Sequence, residues 1–192
     1  MRKTFIFASL LCVLISIPTL AMNGDMGVGT DPNTDGSETY PYLIEDVNDF
    51  DTFADPANAA TYWAAGVHTQ LTTDIDLSGR TYTTAVIAPD LIDDSRYNFT
   101  GTPFSGVFDG NFHTFSSLTI YTNTLYRCYL GLFGQVDGII RNLSVKDSTI
   151  AGNNNSVLLG GICGLSYHAG MIENCHFIGE IAGTEALVLR HS

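Results

Sequence analysis

Three stretches, FSGVFDGNFHTFSSLTI (104–120), YLGLFGQVDGIIRNLSV (129–145) and LGGICGLSYHAGMIENCHF (159–177), echo one another. Aligned, they place Gly106, Gly131 and Gly161 in one column, then Val107, Leu132 and Ile162, then Phe108, Phe133 and Cys163. Downstream, Phe115, Ile140 and Ile172 coincide, followed by Ser117, Asn142 and Asn174, then Leu118, Leu143 and Cys175, then Ile120, Val145 and Phe177. The steps are unequal, 25 residues from Gly106 to Gly131 and 30 from Gly131 to Gly161.

A unit of this size, made of short strands and Gly/Asn turns without a helix, cannot close a core alone, whereas stacked copies bury one continuously. The expected architecture is therefore all-β, a parallel β-helix over residues 67–183, with equivalent positions about 4.8 Å apart along the stack. Leu118, Ile120, Leu143 and Val145 supply inward side chains at period two, with Thr119 and Ser144 outward. Glycine at the corners permits bends that a Cβ would block. Asn142 and Asn174 share a column and suit a hydrogen-bonded ladder at a turn. Cys163 and Cys175 fall in apolar columns and read as small core residues, not catalytic thiols. His113, His168 and His176 read as turn or outward positions, with no carboxylate at fixed spacing.

The flanks differ in character. Residues 47–65 carry the helical signal, with Val47, Phe50, Phe53 and Ala54 on one face. Asp55-Pro56 interrupts it and starts a second helix ending at Gly66, so 40–66 is expected to form a short N-terminal helical cap. Residues 1–21 join Arg2 and Lys3 to an apolar run over 5–17, then Pro18 and a small-residue exit at Ala21, the order of a cleavable signal peptide. The apolar run is shorter than the roughly 20 residues that span a bilayer, so no transmembrane segment is expected in the mature chain. Residues 22–39 read as a flexible polar leader, and 184–192 as an irregular or truncated C-terminus or a short strand over the open end.

The whole chain has a net charge of −12. Loss of the leader removes two cations and no acids, leaving −14. Such acidity argues against nucleic acid and anionic lipid as partners. The cysteines left after cleavage, Cys128, Cys163 and Cys175, make neither a disulfide scaffold nor a zinc site.

Two groups of side chains are candidate sites. Asp31, Asn33 and Asp35, with Gly36, resemble the opening half of a calcium loop, although Tyr42 stands where the closing Glu belongs; otherwise the segment is a polar turn. Calcium is the one cofactor this suggests. Asp74 and Asp76 lie two apart on one strand, and Asp109 sits one coil further on, the best acidic cluster for binding or catalysis. The competing reading is Asp-rich turns bonding their own backbone. A polysaccharide lyase or glycoside hydrolase would need such carboxylates arranged as acid and base, or calcium with a basic residue. A non-catalytic module that binds an extracellular glycan or protein, or that serves as a spacer, needs none.

Three pieces carry a family resemblance: YPYLIEDVNDFDTFADP, LTTDIDLSG with GVFDGNFHTFSSLTI, and LLGGICGLSYHAGMIENCHFIGEIAG. The last matches the family pattern at Gly160, Gly161, Ile162, Cys163 and Gly164, then at Gly170, Ile172, Asn174 and Cys175. Over residues 40–183 the chain resembles bacterial GLUG-motif repeat proteins. That resemblance implies a right-handed parallel β-helix in a secreted or surface-attached, adhesin-like protein.

Overall fold

The computed structural model describes residues 34–90, 98–122, 129–152, 158–183 and 187–189. The expected signal peptide, Asp31, Asn33 and Cys128 lie outside them. In chain order the elements are β1 (Tyr42–Ile44), α1 (Val47–Ala54), α2 (Ala59–Tyr62), β2 (His68–Leu71), β3 (Ile75–Asp76), β4 (Val107–Asp109) and β5 (Thr114–Ser116). There follow β6 (Thr119–Tyr121), β7 (Phe133–Val136), β8 (Ile139–Arg141), β9 (Ser144–Ala151), β10 (Leu158–Gly160), β11 (Cys163–Ser166), β12 (Met171–Glu173), β13 (His176–Ala182) and β14 (Leu187–Leu189).

Every strand pairing among the described residues is parallel. One sheet runs β1-β2-β4-β8-β12, a second runs β3-β5-β9-β13 with β6 also on β9, and β7-β11 and β10-β14 form two further pairs. The protein is all-β, built of parallel ladders with few helices. Parallel neighbours cannot be joined by tight hairpins, so the chain visits each sheet in turn before it returns to the first.

The register corrects the first half of the sequence alignment. Cys163 does lie on Phe133, Ile172 on Ile140, and Phe177 on Val145. Val107, however, pairs with Ile139, Phe108 with Ile140, Phe115 with Val145, and Ile120 with Ile150. Val107 is thus on a different strand from Leu132 and Ile162, and Ser117 is not the equivalent of Asn142. From Val107 to Ile139 and from Ile139 to Met171 the step is 32 residues each time. The glycine column changes with it. Gly106, Gly138 and Gly170 are equivalent, since the amides of Ile139 and Met171 donate to the Gly106 and Gly138 carbonyls. Gly131 and Gly161 stand at a different corner.

The core receives side chains from all the walls. Phe108 on β4, Phe115 on β5 and Phe133 on β7 are fully buried, with ring centroids 5.4 Å apart for Phe108–Phe133 and 6.3 Å for Phe108–Phe115. Leu118, Ile120, Leu143 and Val145 are buried, and Thr119 and Ser144 between them are partly exposed, as the period of two requires. Toward the last strands the inward residues Ile172, Phe177 and Ile181 are only partly buried, packed against the core from one side. Phe177 nevertheless lies across the coil onto Gly161, where a Cβ would collide with its ring.

Helix α1 starts where Asp46 accepts the amides of Asn48 and Asp49 at 2.7 and 3.0 Å, a side-chain N-cap. Its buried Phe50 and Phe53 reach Phe115 and Phe108, with centroids 4.8 and 5.4 Å apart. The second helical segment is shorter than the sequence suggests: a 3-10 turn at Pro56–Asn58, capped by Asp55, and one turn of α2. Trp63 ends it, fully buried, its indole N–H donating to the Phe53 carbonyl at 2.7 Å.

Described parts of the expected leader and tail make backbone pairings. Asp35 and Gly36 donate to the Tyr40 carbonyl, and the Gly36 carbonyl accepts from His68, so residues 34–40 form a turn folded onto β2. Within 40–66, Tyr42–Ile44 is a strand paired with β2. Leu187–Leu189 in the tail pairs with β10 and is neither irregular nor laid across the stack. No helix of the described residues is long and apolar enough to cross a membrane.

Candidate functional site

The acidic candidates cluster at the corner that leads from the first sheet to the second. Asp74 precedes β3, Asp76 ends it, and Asp109 ends β4 in register with Gln70 below and Arg141 above. That outward column runs on to Glu173, so the cationic Arg141 is flanked by two acids.

Each carboxylate is engaged by neighbouring groups. Asp74 accepts the Thr114 amide at 2.9 Å and lies 3.1 Å from His113 Nδ1. Asp76 accepts the amide and hydroxyl of Ser78 at 3.0 and 2.8 Å, closing its own turn. Asp109 accepts the Asn111 amide at 2.8 Å, Arg141 Nε at 2.8 Å and Asn142 Nδ2 at 3.0 Å. Asn142 Oδ1 then accepts Asn174 Nδ2 at 2.9 Å. The expected Asn ladder therefore exists, and its lowest rung is Asp109. Asn142 and Asn174 hold it from left-handed backbone, φ +53° and +49°, a conformation that Asn tolerates better than other residues with a Cβ.

Hydrogen bonds to the charged form hold these carboxyls low. The Thr114 amide is the main cause for Asp74 and the Ser78 hydroxyl for Asp76. For Asp109 burial pulls upward, but Asn142, the Asn111 amide and Arg141 outweigh it. A general acid needs a carboxyl raised toward neutral pH. This corner instead offers ionised acceptors, each tied to structural donors.

Sequence reasoning missed two partners here. His113 was assigned no carboxylate, yet it meets Asp74 from 39 residues away, and Arg141 was not singled out although it neutralises Asp109. The signal for Arg141 was its 32-residue step from Asp109, which the first aligned pair concealed, whereas Asp74 and His113 stand 39 residues apart across a longer first coil.

The remaining candidates are structural in placement. Asp35 accepts the Ser37 amide at 2.9 Å within its turn, and among the described residues no group of three His, Cys, Asp or Glu is placed to hold a metal ion. Cys163 and Cys175 are buried free thiols, and burial pushes Cys163 up to about 12.

The chain is 29% identical over 177 residues to halomucin of Haloquadratum walsbyi, an alignment covering 86% of this chain and 2% of the relative. It is 28% identical over 176 residues to a Gly-rich membrane protein of Evansella cellulosilytica, covering 90% of this chain and 18% of that one. The chain thus spans a small part of the length of either relative. It matches no protein family model, and no solved structure matches it.

Proposed function

We propose that this chain is a non-catalytic extracellular or cell-surface module, a right-handed parallel β-helix of the GLUG-repeat kind, with an adhesin-like binding or structural role. Parallel, in-register ladders with a 32-residue step support the coil. Helix α1, whose Phe50 and Phe53 enter the core beside the first strands, acts as its N-terminal cap. The leader-like residues 1–21 and two relatives named halomucin and a Gly-rich membrane protein support a place outside the cytoplasm.

One observation carries the non-catalytic reading: Asp74, Asp76 and Asp109, the best acidic cluster, all serve as acceptors in turns and ladders. The test is a turnover screen of the secreted protein on neutral and acidic polysaccharides, read by new reducing ends and by absorbance of unsaturated products. No turnover is expected. Cleavage lost in a folded Asp109→Asn or Asp76→Asn variant would overturn the reading in favour of a lyase or hydrolase.

A further inference from the structure

Across β7 and β11, Gln135 and Leu165 stand side by side in register. They line an open cleft of about 420 Å³ together with Phe99, Tyr129 and Tyr167. That volume lies within the roughly 300–1,000 Å³ usual for small-molecule sites. Phe99 and Tyr129 meet edge to face, with centroids 5.3 Å apart. Tyr167 is 50% exposed and braced edge-on by His168 at 3.9 Å.

Gln135 is the unusual member of this set. It is only 8% exposed, and its Nε2 reaches Asp137 at 3.3 Å. Among the described residues its amide oxygen has no hydrogen-bond partner. That oxygen is not among the buried polar atoms left without a partner, so it is open to solvent and free to accept a hydrogen bond from a ligand.

The geometry points to this cleft as a binding site for a neutral sugar ring. A pyranose has an apolar C–H face, which suits the Tyr167 ring and Leu165, and an edge of hydroxyls that both donate and accept. The Gln135 amide, with a carbonyl that accepts and an NH2 that donates, offers both complements. An anionic glycan meets a chain of net charge −12, so uronates are disfavoured. This inference rests on the binding-module reading and gives it a ligand class and a location.

The test is calorimetric titration of the full chain with cellohexaose, mannohexaose and xylohexaose, with hexagalacturonate as the acidic comparison. At least one neutral hexaose is expected to bind and the uronate not to bind. Tyr167→Ala and Gln135→Leu should each weaken that binding about tenfold or more, while Tyr167→Phe retains it because stacking needs only the ring. Tyr167→Ala should fold, since the side chain is half exposed and the backbone bonds of residue 167 remain. Silence from all three neutral hexaoses overturns the proposal, as does binding indifferent to Tyr167→Ala. The latter leaves the module reading intact with its site elsewhere. Hydrolysis of a bound hexaose would overturn the non-catalytic reading while leaving the cleft assigned.

Discussion

Thr69 shows at one residue how a column constrains chemistry. It points inward from β2, in register with Phe108, and its hydroxyl is buried with no hydrogen-bond partner among the described residues. Thr69→Val keeps the shape and removes the unsatisfied group, so a gain of about 1 kcal/mol is expected. A urea midpoint that falls would show that the hydroxyl has a partner. The low carboxyls set the acid limit. Asp46, held by the Asp49 amide, Asp74, held by the Thr114 amide, Asp76 by Ser78, and Asp109 all titrate below the ordinary value of 3.8 when folded. Their stabilisation is complete above that value and is lost as pH falls through the folded ones. Asp49, raised by burial, acts in the opposite sense: its contribution is lost as pH rises through its folded value, and acidification restores part of it. With Asp35 also held low by Ser37, the depressed groups outnumber the one raised group and predict a net loss of stability between about pH 5 and pH 2 in denaturant titrations. Asp109→Asn should flatten that loss and lower stability at pH 7, because Arg141 and Asn142 lose a charged acceptor.

At the scale of the element, register is set by corners as much as by strands. A Cβ at Gly138, between β7 and β8, would run into the carbonyl of Gly106, which is also the acceptor for the Ile139 amide. Gly138→Ala is therefore expected to cost about 2–3 kcal/mol, as overpacking against backbone does. Gly79→Ala is the control: its φ of +77° is strained for alanine, but nothing lies within 4 Å of the added carbon, so about 1 kcal/mol is expected. Thermal melts of the two variants would settle the order, and a smaller loss at Gly138 would contradict the stacking of the coils. The corners also explain the misread alignment. Gly-Val-Phe at 106–108 and Gly-Leu-Phe at 131–133 are alike because both enter a buried strand after a glycine, yet one opens β4 in the first sheet and the other opens β7 in the third. Local pattern cannot separate equivalent corners of one coil from each other. The copies at 129–145 and 159–177 could be aligned correctly because Asn142-Leu143 and Asn174-Cys175 fix the same turn in both.

For the whole molecule, stability in stacked repeats is approximately a sum of unit and interface terms. Duplicating residues 139–170 in tandem inserts one 32-residue coil without altering any corner. The lengthened protein is expected to fold with a β-type circular dichroism spectrum and a melting temperature no lower than that of the parent, whereas a loss of cooperative unfolding would argue against coil-by-coil stacking. Much of this organisation was legible from the chain alone. Short β-branched and aromatic runs, absence of helix after Gly66, glycine corners and period-two burial follow from near-neighbour sterics and hydropathy, and they determined an all-β protein of parallel repeats with its helices first. Tertiary structure alone decided the register, the meeting of His113 with Asp74, the engagement of Asp109 by Arg141 and Asn142, and the cleft between Phe99 and Tyr167. Those depend on how many residues the chain spends in the turns before it returns to the same wall, a length that hydrophobic pattern does not encode and that only the closed hydrogen-bond ladders fix.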